Sequence, residues 1–193
     1  MKTLIISGSQ RAESESLRIA GLLNSRYFGS AADLLDLATK PLPEWDGTGF
    51  DRDDVKAVKQ RVADADALVL VVPEWNGMAP SSIKNFFLWC GVAELAHKPA
   101  LLVAVSAGTG GAYVINEMRT SSYKNARLLY LPEHLLYRDV ANLWTADEPT
   151  KSDTFLAERT QYALDVLQAY AEAMVPVRKL AVETMGRFAN GMS

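Results

Sequence analysis

The sequence predicts an α/β domain with a five-stranded parallel sheet and helices on both of its faces. Short, continuous apolar runs recur along the chain, at residues 4–6, 67–72 and 100–105. Strands have this pattern when both faces of their sheet are covered, as in parallel sheets. Segments of helical periodicity separate the runs, so that strand and helix alternate five times. The length of 193 residues suits one domain with a single large core.

Taken in order, the elements begin with the apolar run at 4–6, and a helical pattern resumes at Leu17. The run at 33–37 is a weaker strand candidate, and the acidic residues that open the following helix are favourable at a helix start. The runs at 67–72 and 100–105 are the clearest strands, and 127–131 is again weaker. We expect helices near residues 15–27, 52–64, 81–96, 112–125 and 152–174.

Right-handed crossovers place these helices on both faces of the sheet. Five strands suit the order 2-1-3-4-5 of flavodoxin-like sheets. We therefore expect a flavodoxin-like domain over residues 1–175. Residues 176–193, which begin at a proline, are expected to form a C-terminal tail with a short helix.

Composition and charge exclude several classes of protein. The net charge of -3 gives no electrostatic reason to expect nucleic acid or an anionic membrane as a partner. No apolar run reaches the ~20 residues of a membrane span. The one cysteine, Cys90, cannot form an intrachain disulfide, which suits a cytoplasmic protein. His97 and His134 have no metal-ligand spacing, so we expect no metal site.

In a sheet of this order, ligands bind beyond the carboxyl ends of the strands, between the first and third strands. Three loops are predicted to meet there. Loop A is SGSQRAESES (residues 7–16), loop B is PEWNGMAPSS (73–82) and loop C is SAGTGGAY (106–113). They are rich in small and hydroxylated residues and hold no histidine, cysteine or carboxylate pair of catalytic type.

Loop A has the composition of an anion site. Gly8 allows a tight turn, while Ser9, Ser14 and Ser16 supply hydroxyl donors. Free amides and the dipole at the start of the next helix favour an anion, and Arg11 adds a cation suited to phosphate oxygens. The loop is not a Walker A motif, because it lacks the Gly-Lys-Ser/Thr ending. The alternative is that it only caps an ordinary helix.

Loops B and C carry weaker signals. In loop B, Asn76-Gly77 forms a rigid turn next to Trp75, which could line a flat aromatic ligand. The alternative is a plain strand-to-helix connection. Loop C has a glycine cluster that is not GxGxxG, because Tyr113 takes the last glycine position. Its glycines permit close approach of the backbone to a bound molecule.

Together the loops resemble the NADPH-dependent FMN reductase family, which includes chromate and quinone reductases. The resemblance covers residues 3 to about 130. The residues that carry it are Gly8-Ser9-x-Arg11-x-x-Ser14, Pro73-Glu74-Trp75-Asn76-Gly77, Pro80, Ile83-Lys84-Asn85 and Ser106-Ala107-Gly108-x-Gly110-Gly111. The family has a flavodoxin-like fold, binds FMN, uses a nicotinamide as electron donor and usually forms dimers or tetramers.

The resemblance implies a role for each matched position. The residues expected at the FMN phosphate are Ser9, Arg11, Ser14 and Ser16. Those expected along the flavin ring are Glu74, Trp75, Asn76 and Gly77. Those expected at the pyrimidine end of the ring are Ser106, Gly108, Gly110 and Gly111. It also places Gln10, Leu17 and Pro73 in the cofactor site. Trp75 stands where the family usually has tyrosine, and Ser16 where asparagine is common.

The resemblance therefore implies an FMN-dependent NAD(P)H oxidoreductase that passes electrons to quinones or similar small acceptors. The flavin carries the chemistry, so no catalytic side chain is expected. Two alternatives are a non-enzymatic electron carrier of flavodoxin type and a flavin-binding sensor. The small net charge argues against a carrier, since carriers tend to have strongly acidic docking faces.

The helix expected at 81–96 also suggests an assembly. Ile83, Phe86 and Cys90 mark one apolar face, while Leu88 and Leu95 extend the apolar surface to another side. Exposed apolar patches usually mark an interface. We therefore expect a two-fold dimer with this helix at its centre, or a tetramer. The alternative is that the C-terminal tail covers the second face.

Overall fold

A computed structural model describes residues 1–184 as one five-stranded, all-parallel sheet with six α-helices. The elements are β1 (Thr3–Ser7), α1 (Glu15–Phe28), β2 (Asp33–Asp36), α2 (Asp53–Asp64), β3 (Ala67–Pro73), α3 (Ser81–Trp89), α4 (Val92–Leu95), β4 (Pro99–Val105), α5 (Ala112–Ser121), β5 (Leu129–Tyr137), a 3₁₀ turn (Val140–Asn142) and α6 (Lys151–Thr184). The strand order is β2-β1-β3-β4-β5, which confirms the predicted flavodoxin-like sheet.

Two apolar clusters cover the two faces of the sheet. On one face, α2, α3 and α5 pack on alternate side chains of the central strands, such as Leu4, Leu68 and Leu102. On the other face, α1 and α6 pack on the intervening ones, such as Ile5 and Val69. Because both faces are buried, the central strands are continuously apolar.

The prediction of one continuous helix at 81–96 is wrong, because α3 ends at Trp89 and α4 begins at Val92. Gly91 lies between them, where a glycine costs the helix conformational entropy. The Glu94 carboxylate accepts the Gly91 N–H at 2.9 Å and so caps α4. The break turns Leu95 into the core, where it is fully buried.

The strand predicted at 127–131 begins two residues later and continues to Tyr137. Pro132 in its middle favours an earlier end, because proline cannot donate to a strand ladder. β5 is an edge strand, and its register with β4 shifts between Ala100 and Leu102. An edge position and a register shift are the two settings that tolerate proline in a strand.

Helix boundaries also differ at two other places. The helix predicted at 112–125 ends at Ser121, and the one predicted at 152–174 continues to Thr184. Pro176 lies on an exposed side of α6, where the carbonyl that loses its partner can face water.

The division between a domain at 1–175 and a tail at 176–193 stays a prediction. Residues 185–193 lie outside the described part of the chain.

The helices of residues 1–184 include none with the length and hydropathy that a membrane crossing needs.

Lys98 is a buried cation at the end of the sheet opposite to the three loops. Only 3% of its surface is exposed. Its Nζ donates to the carbonyl oxygens of Val62 and, at 2.8 Å, Ala63, in the last turn of α2. Burial, assisted by nearby Arg178, lowers the pKa of Lys98 to about 8.

The stability of the protein should therefore rise with pH through Lys98. Its folded-state pKa lies below the unfolded value of about 10.4, so the unfolded chain binds more protons between these two pH values. We expect the free energy of unfolding to rise by about 1 kcal/mol from pH 7 to pH 9 through this group. Urea unfolding at several pH values should show this rise in the native chain and not in Lys98→Met. Parallel pH profiles for the two proteins would contradict the expectation.

Candidate functional site

Loops A, B and C meet at the carboxyl ends of β1, β3 and β4, which are neighbours in the sheet. The Gly8 N–H of loop A donates to the Val71 carbonyl of β3 at 2.8 Å. Ser82 Oγ, at the end of loop B, donates to the Gly8 carbonyl at 2.7 Å. The Glu74 N–H donates to the Val105 carbonyl of β4 at 2.9 Å. Backbone bonds therefore join the three loops into one surface.

The side chains of loop A divide into structural and unpaired groups. Ser14 Oγ caps α1 by accepting the Leu17 N–H at 3.2 Å. Ser9 is fully buried, and its Oγ accepts the Arg11 N–H at 3.0 Å. Ser16 is buried too, but its Oγ has no partner within residues 1–184. The Arg11 guanidinium is exposed and makes no hydrogen bond or ion pair in the same part of the chain.

Loop A also has unused backbone donors. The N–H groups of Ala12, Glu13 and Ser14 meet no acceptor among the described residues. Glu13 has a φ of 52°, which turns the backbone sharply before α1 begins. Together with the first turn of α1, these donors favour an anion at the loop, although it carries two glutamates.

Loop B forms a tight hairpin. Trp75 and Met78 exchange two backbone hydrogen bonds, of 3.0 and 2.9 Å. Asn76 and Gly77 between them have φ values of 50° and 74°. Two successive positive φ values are typical of the type I′ turn that Asn-Gly favours. The tip of the hairpin is exposed and Trp75 is half-buried, so the loop presents a rigid, partly aromatic edge.

Two carboxylates hold the base of this hairpin against α5. Before the hairpin, Glu74 Oε2 accepts the Val114 N–H at 3.1 Å. After it, the Ala79 N–H donates to Glu117 Oε2 at 2.7 Å. Glu117 also pairs with Lys84 of α3 at 2.8 Å. Helix α5 therefore sets the position of loop B from both sides.

These contacts favour the ionised form of the Glu117 carboxyl group. Burial raises the pKa of its carboxyl, but the Lys84 ammonium and the Ala79 N–H together outweigh burial. The pKa of Glu117 is therefore lowered overall. Nothing in the sequence spacing of α5 distinguishes Glu117 from a solvated helix residue, so its role emerges only in the structure.

Loop C is packed closely against Glu74. A Cβ atom on Gly110 would lie 2.5 Å from Glu74 Oε1 and 3.0 Å from Ser106 Oγ, so a side chain at Gly110 would push the Glu74 carboxylate or the Ser106 hydroxyl aside. Ser106 is buried, and its Oγ accepts the Gly108 N–H at 3.3 Å. Gly111 has a φ of 101° as it leads into α5.

The segment after β5 supports loop C and was missed by the sequence analysis. Arg138 Nε donates to the Gly110 carbonyl at 2.9 Å, and the Asp139 N–H donates to the Gly108 carbonyl at 3.0 Å. Arg18 of α1 donates to the carbonyls of Val140 and Leu143, which links the start of α1 to the same segment. The signal was hidden because the predicted strand ended at residue 131.

A cavity of about 600 Å³ adjoins loop A. Its lining residues are Gln10, Leu37, Pro41, Leu42, Glu44, Trp45, Ser81, Ser82, Lys84, Asn85 and Leu88. Of the predicted site residues, only Gln10 lines it. Leu17 is half-buried in α1 and Pro73 is buried at the end of β3. The other predicted residues of loops B and C lie outside this cavity, on the adjoining edge of the sheet.

No group of three or more His, Cys, Asp or Glu side chains within residues 1–184 could hold a metal ion. Cys90 is fully buried, and burial raises the pKa of its thiol to about 12, so it is not a nucleophile at neutral pH.

Comparison with known proteins gives consistent results. The family model described as NADPH-dependent FMN reductase matches residues 1–141. An NADPH azoreductase of Bacillus sp. (strain OY1-2) is 33% identical over 124 residues, which cover 63% of this chain and 68% of that protein. A 2-hydroxy-1,4-benzoquinone reductase of Burkholderia sp. is 27% identical over 161 residues, 80% of this chain and 88% of that protein.

Among solved structures, the fold is similar to FerB, a flavoenzyme NAD(P)H:(acceptor) oxidoreductase from Paracoccus denitrificans. The TM-score is 0.71 at 22% sequence identity, and the match covers 90% of this chain and 98% of FerB.

The contact between loops B and C yields a matched pair of substitutions. Gly110→Ala forces Glu74 or Ser106 to move, and such overpacking costs about 1–3 kcal/mol. Gly108→Ala is the control, because a Cβ there meets nothing within 4 Å. Thermal unfolding should show a lower melting temperature for the first variant alone. Equal melting temperatures for both variants would show that loop C is not held against Glu74.

Proposed function

The chain belongs to the NADPH-dependent FMN reductase family, and from this premise we propose that it passes electrons from NAD(P)H, through bound FMN, to quinones or similar small acceptors. The single observation that carries the proposal is the joined surface of loops A, B and C. It combines an unpaired cation, free backbone donors and a rigid aromatic edge at one end of the sheet. The names of the relatives support the acceptor class, since they include an azoreductase and a benzoquinone reductase.

Loop A fits the phosphate end of FMN. Arg11 has no partner among the described residues, and Ser16 carries a buried hydroxyl with an unmet hydrogen bond. The free amides before α1 and the helix dipole favour a dianion, by up to about 2 kcal/mol from the dipole where the site is partly buried. Ser9 and Ser14 already use their hydroxyl oxygens as acceptors, and Ser9 Oγ also donates to the Arg11 carbonyl at 3.4 Å, so Ser9 would shape the loop and Ser14 would offer its proton.

Loops B and C fit the ring end of the cofactor. Trp75, Asn76 and Gly77 would border the ring on one side, with Ser106, Gly108, Gly110 and Gly111 at its pyrimidine end. The two loops are held in register by Glu74, whose carboxylate contacts α5 and lies where a side chain at Gly110 would be. We therefore assign Glu74 to the support of the site, alongside its expected place near the ring.

The chain's own residues bind and position rather than transfer protons. Bound FMN would supply the redox chemistry between the nicotinamide and the acceptor. Loop A fixes the phosphate, the hairpin of loop B limits one side, and α5 keeps the hairpin in place through Glu74 and Glu117. The cavity next to Gln10 and Trp45 offers space for a flat acceptor beside the cofactor.

We also propose a homodimer in which α3 lies near the two-fold axis. Fewer apolar residues are available for this interface than the sequence suggested, because Ile83, Phe86, Trp89 and Cys90 are buried within the chain. What remains exposed is a small cluster that lines the cavity: Trp45 and Leu88, with exposed fractions of 38% and 55%. The described part of the tail, which ends at Thr184, does not cover this cluster, because α6 packs on the other face of the sheet. A partner subunit would cover it and complete the open side of the site.

A cytoplasmic location is part of the proposal. The supporting observation is that Cys90, the only cysteine of the chain, is buried and free, so the fold needs no disulfide.

Arg11→Ala should weaken FMN binding without unfolding the protein. A hydrogen bond to a charged group is worth about 1.5–3 kcal/mol, which is about ten- to a hundredfold in the dissociation constant. Lys56→Ala is the control, because it removes one exposed positive charge on α2. Flavin fluorescence titration measures both variants. Equal dissociation constants for Arg11→Ala and the native chain would remove Arg11 from the site.

Turnover separates the enzyme from the carrier or sensor. The FMN-loaded protein should oxidise NADPH rapidly when menadione is added. The rate is measured as the decrease in NADPH absorbance with time. Free FMN at the same concentration is the control. A yellow protein that leaves NADPH unchanged would overturn the enzymatic proposal and favour a flavodoxin-type carrier or a flavin-binding sensor.

A further inference from the structure

The segment between β2 and α2 forms one wall of the cavity beside loop A. We call this segment, residues 37–52, loop D. It contributes Leu37, Leu42 and Trp45 to the lining of the cavity, and α3 contributes Ser82 and Leu88. The position of loop D relative to α3 therefore sets the width of the cavity.

The middle of loop D needs hydrogen-bond partners from elsewhere in the fold. Pro41 and Pro43 have no backbone N–H, so this part of the loop cannot form a regular helical turn or a strand ladder. The carbonyls of Leu42 and Pro43 and the N–H of Trp45 still have to be paired, because an unpaired backbone group away from water costs free energy.

Asn85 of α3 supplies these partners. Its Nδ2 donates to the Pro43 carbonyl at 2.8 Å and to the Leu42 carbonyl at 3.4 Å. Its Oδ1 accepts the Trp45 N–H at 3.0 Å. One amide group thus satisfies both acceptors and a donor of the loop backbone. A carboxylate cannot donate and an ammonium cannot accept, so neither could take its place.

Trp89, one helical turn after Asn85, attaches the loop a second time. Its Nε1 donates to the Pro43 carbonyl at 2.8 Å. Its ring packs edge-to-face against Phe50, with 5.3 Å between the ring centres. Residues four apart lie on the same side of a helix, so Asn85 and Trp89 act on loop D together. The loop is therefore held on both sides of its turn at residues 46–49.

The wall that Asn85 holds in place is largely apolar. Leu42 is half-buried against the core and the Trp45 ring is partly exposed, while Leu88 of α3 adds a further apolar side chain to the lining. A cavity with an aromatic side chain and aliphatic neighbours suits a flat ring compound. Its affinity for such a compound depends on how far the Trp45 wall lies from α3.

We propose that Asn85 is a positioning residue for the electron acceptor and acts through loop D. It holds Trp45 and Leu42 at the distance from α3 that fits a flat organic ring. This inference rests on the proposed function, which places the acceptor in the cavity. Asn85 contacts loop D and not loops A, B and C, so its removal changes affinity for the acceptor and leaves FMN binding as it is.

Rapid mixing of the reduced protein with an acceptor tests the proposal. The FMN-loaded protein is reduced with dithionite and mixed without oxygen with menadione, a flat two-ring quinone, or with ferricyanide, a compact inorganic ion. In Asn85→Ala, the menadione concentration at half-maximal rate should rise at least about fivefold, with the limiting rate kept, as expected for lost binding. Rates with ferricyanide and the dissociation constant of FMN should stay at their native values.

Two further variants show whether the effect depends on the hydrogen bonds. Asn85→Asp keeps the size of the side chain and the acceptor for Trp45, but it loses the donors to the loop carbonyls. It should therefore raise the half-saturating menadione concentration as well. Asn116→Ala is the matched control, because Asn116 is an exposed asparagine on α5. It should behave as the native chain.

Hydrogen exchange provides a readout that does not depend on activity. Mass spectrometry of the protein without FMN should show faster exchange over residues 42–50 in Asn85→Ala than in the native chain, because the Trp45 N–H loses its acceptor. The strands of the sheet should exchange as in the native chain. Unchanged exchange over residues 42–50 would show that Asn85 does not hold the loop.

Three other results would overturn the role of Asn85. The first is an equal half-saturating concentration of menadione in Asn85→Ala and the native chain. The second is an equal loss of rate with menadione and ferricyanide, which would indicate general damage. The third is a changed assembly mass of the variant in light scattering, which would assign the loss to an interface. Because dithionite reduces the flavin here, a native chain that leaves NADPH unchanged would overturn the proposed function and not this test.

Discussion

The parallel pairing of β1 with β3 is the constraint on which the rest of this molecule depends. These strands are separated in sequence by β2 and α2, yet they are neighbours in the sheet from Thr3 to Ser7. The pairing continues past the strand, where the Gly8 N–H meets the Val71 carbonyl. It therefore draws loop A onto loop B and opens the crevice where strand order reverses.

Two carboxylates stabilise the loops of the site. Glu74 and Glu117 lie on opposite sides of the loop B hairpin. Glu74 accepts the Val114 N–H in the first turn of α5, and Glu117, a residue of α5, accepts the Ala79 N–H. A hydrogen bond to a charged group is stronger than one between neutral groups. Rigid support of this kind suits a cofactor enzyme, in which the protein contributes position rather than reactive side chains. Because these bonds hold the Glu74 carboxylate in place, a side chain at Gly110 would disturb the support of loop B.

The two faces of the sheet present different exteriors. On the α3 face, exposed apolar residues cluster around the cavity, next to the proposed site. On the α6 face, exposed apolar residues lie along the outer side of one helix. Both follow from helices that carry more apolar surface than one sheet can cover.

The sequence alone determined the fold class, the strand order and the three loops, because apolar periodicity and turn chemistry are local signals. It also placed Arg11, Ser16 and the Asn76-Gly77 turn at the correct edge of the sheet, since parallel strands all end on one side. It did not determine the length of β5, the break at Gly91 or the course of α6 through Pro176. Each of these depends on position within the fold: an edge strand tolerates Pro132, and a solvent-facing helix side tolerates Pro176. Glu117, Arg138 and Asp139 joined the site only in three dimensions, because they act by contacting backbone groups that are distant in sequence.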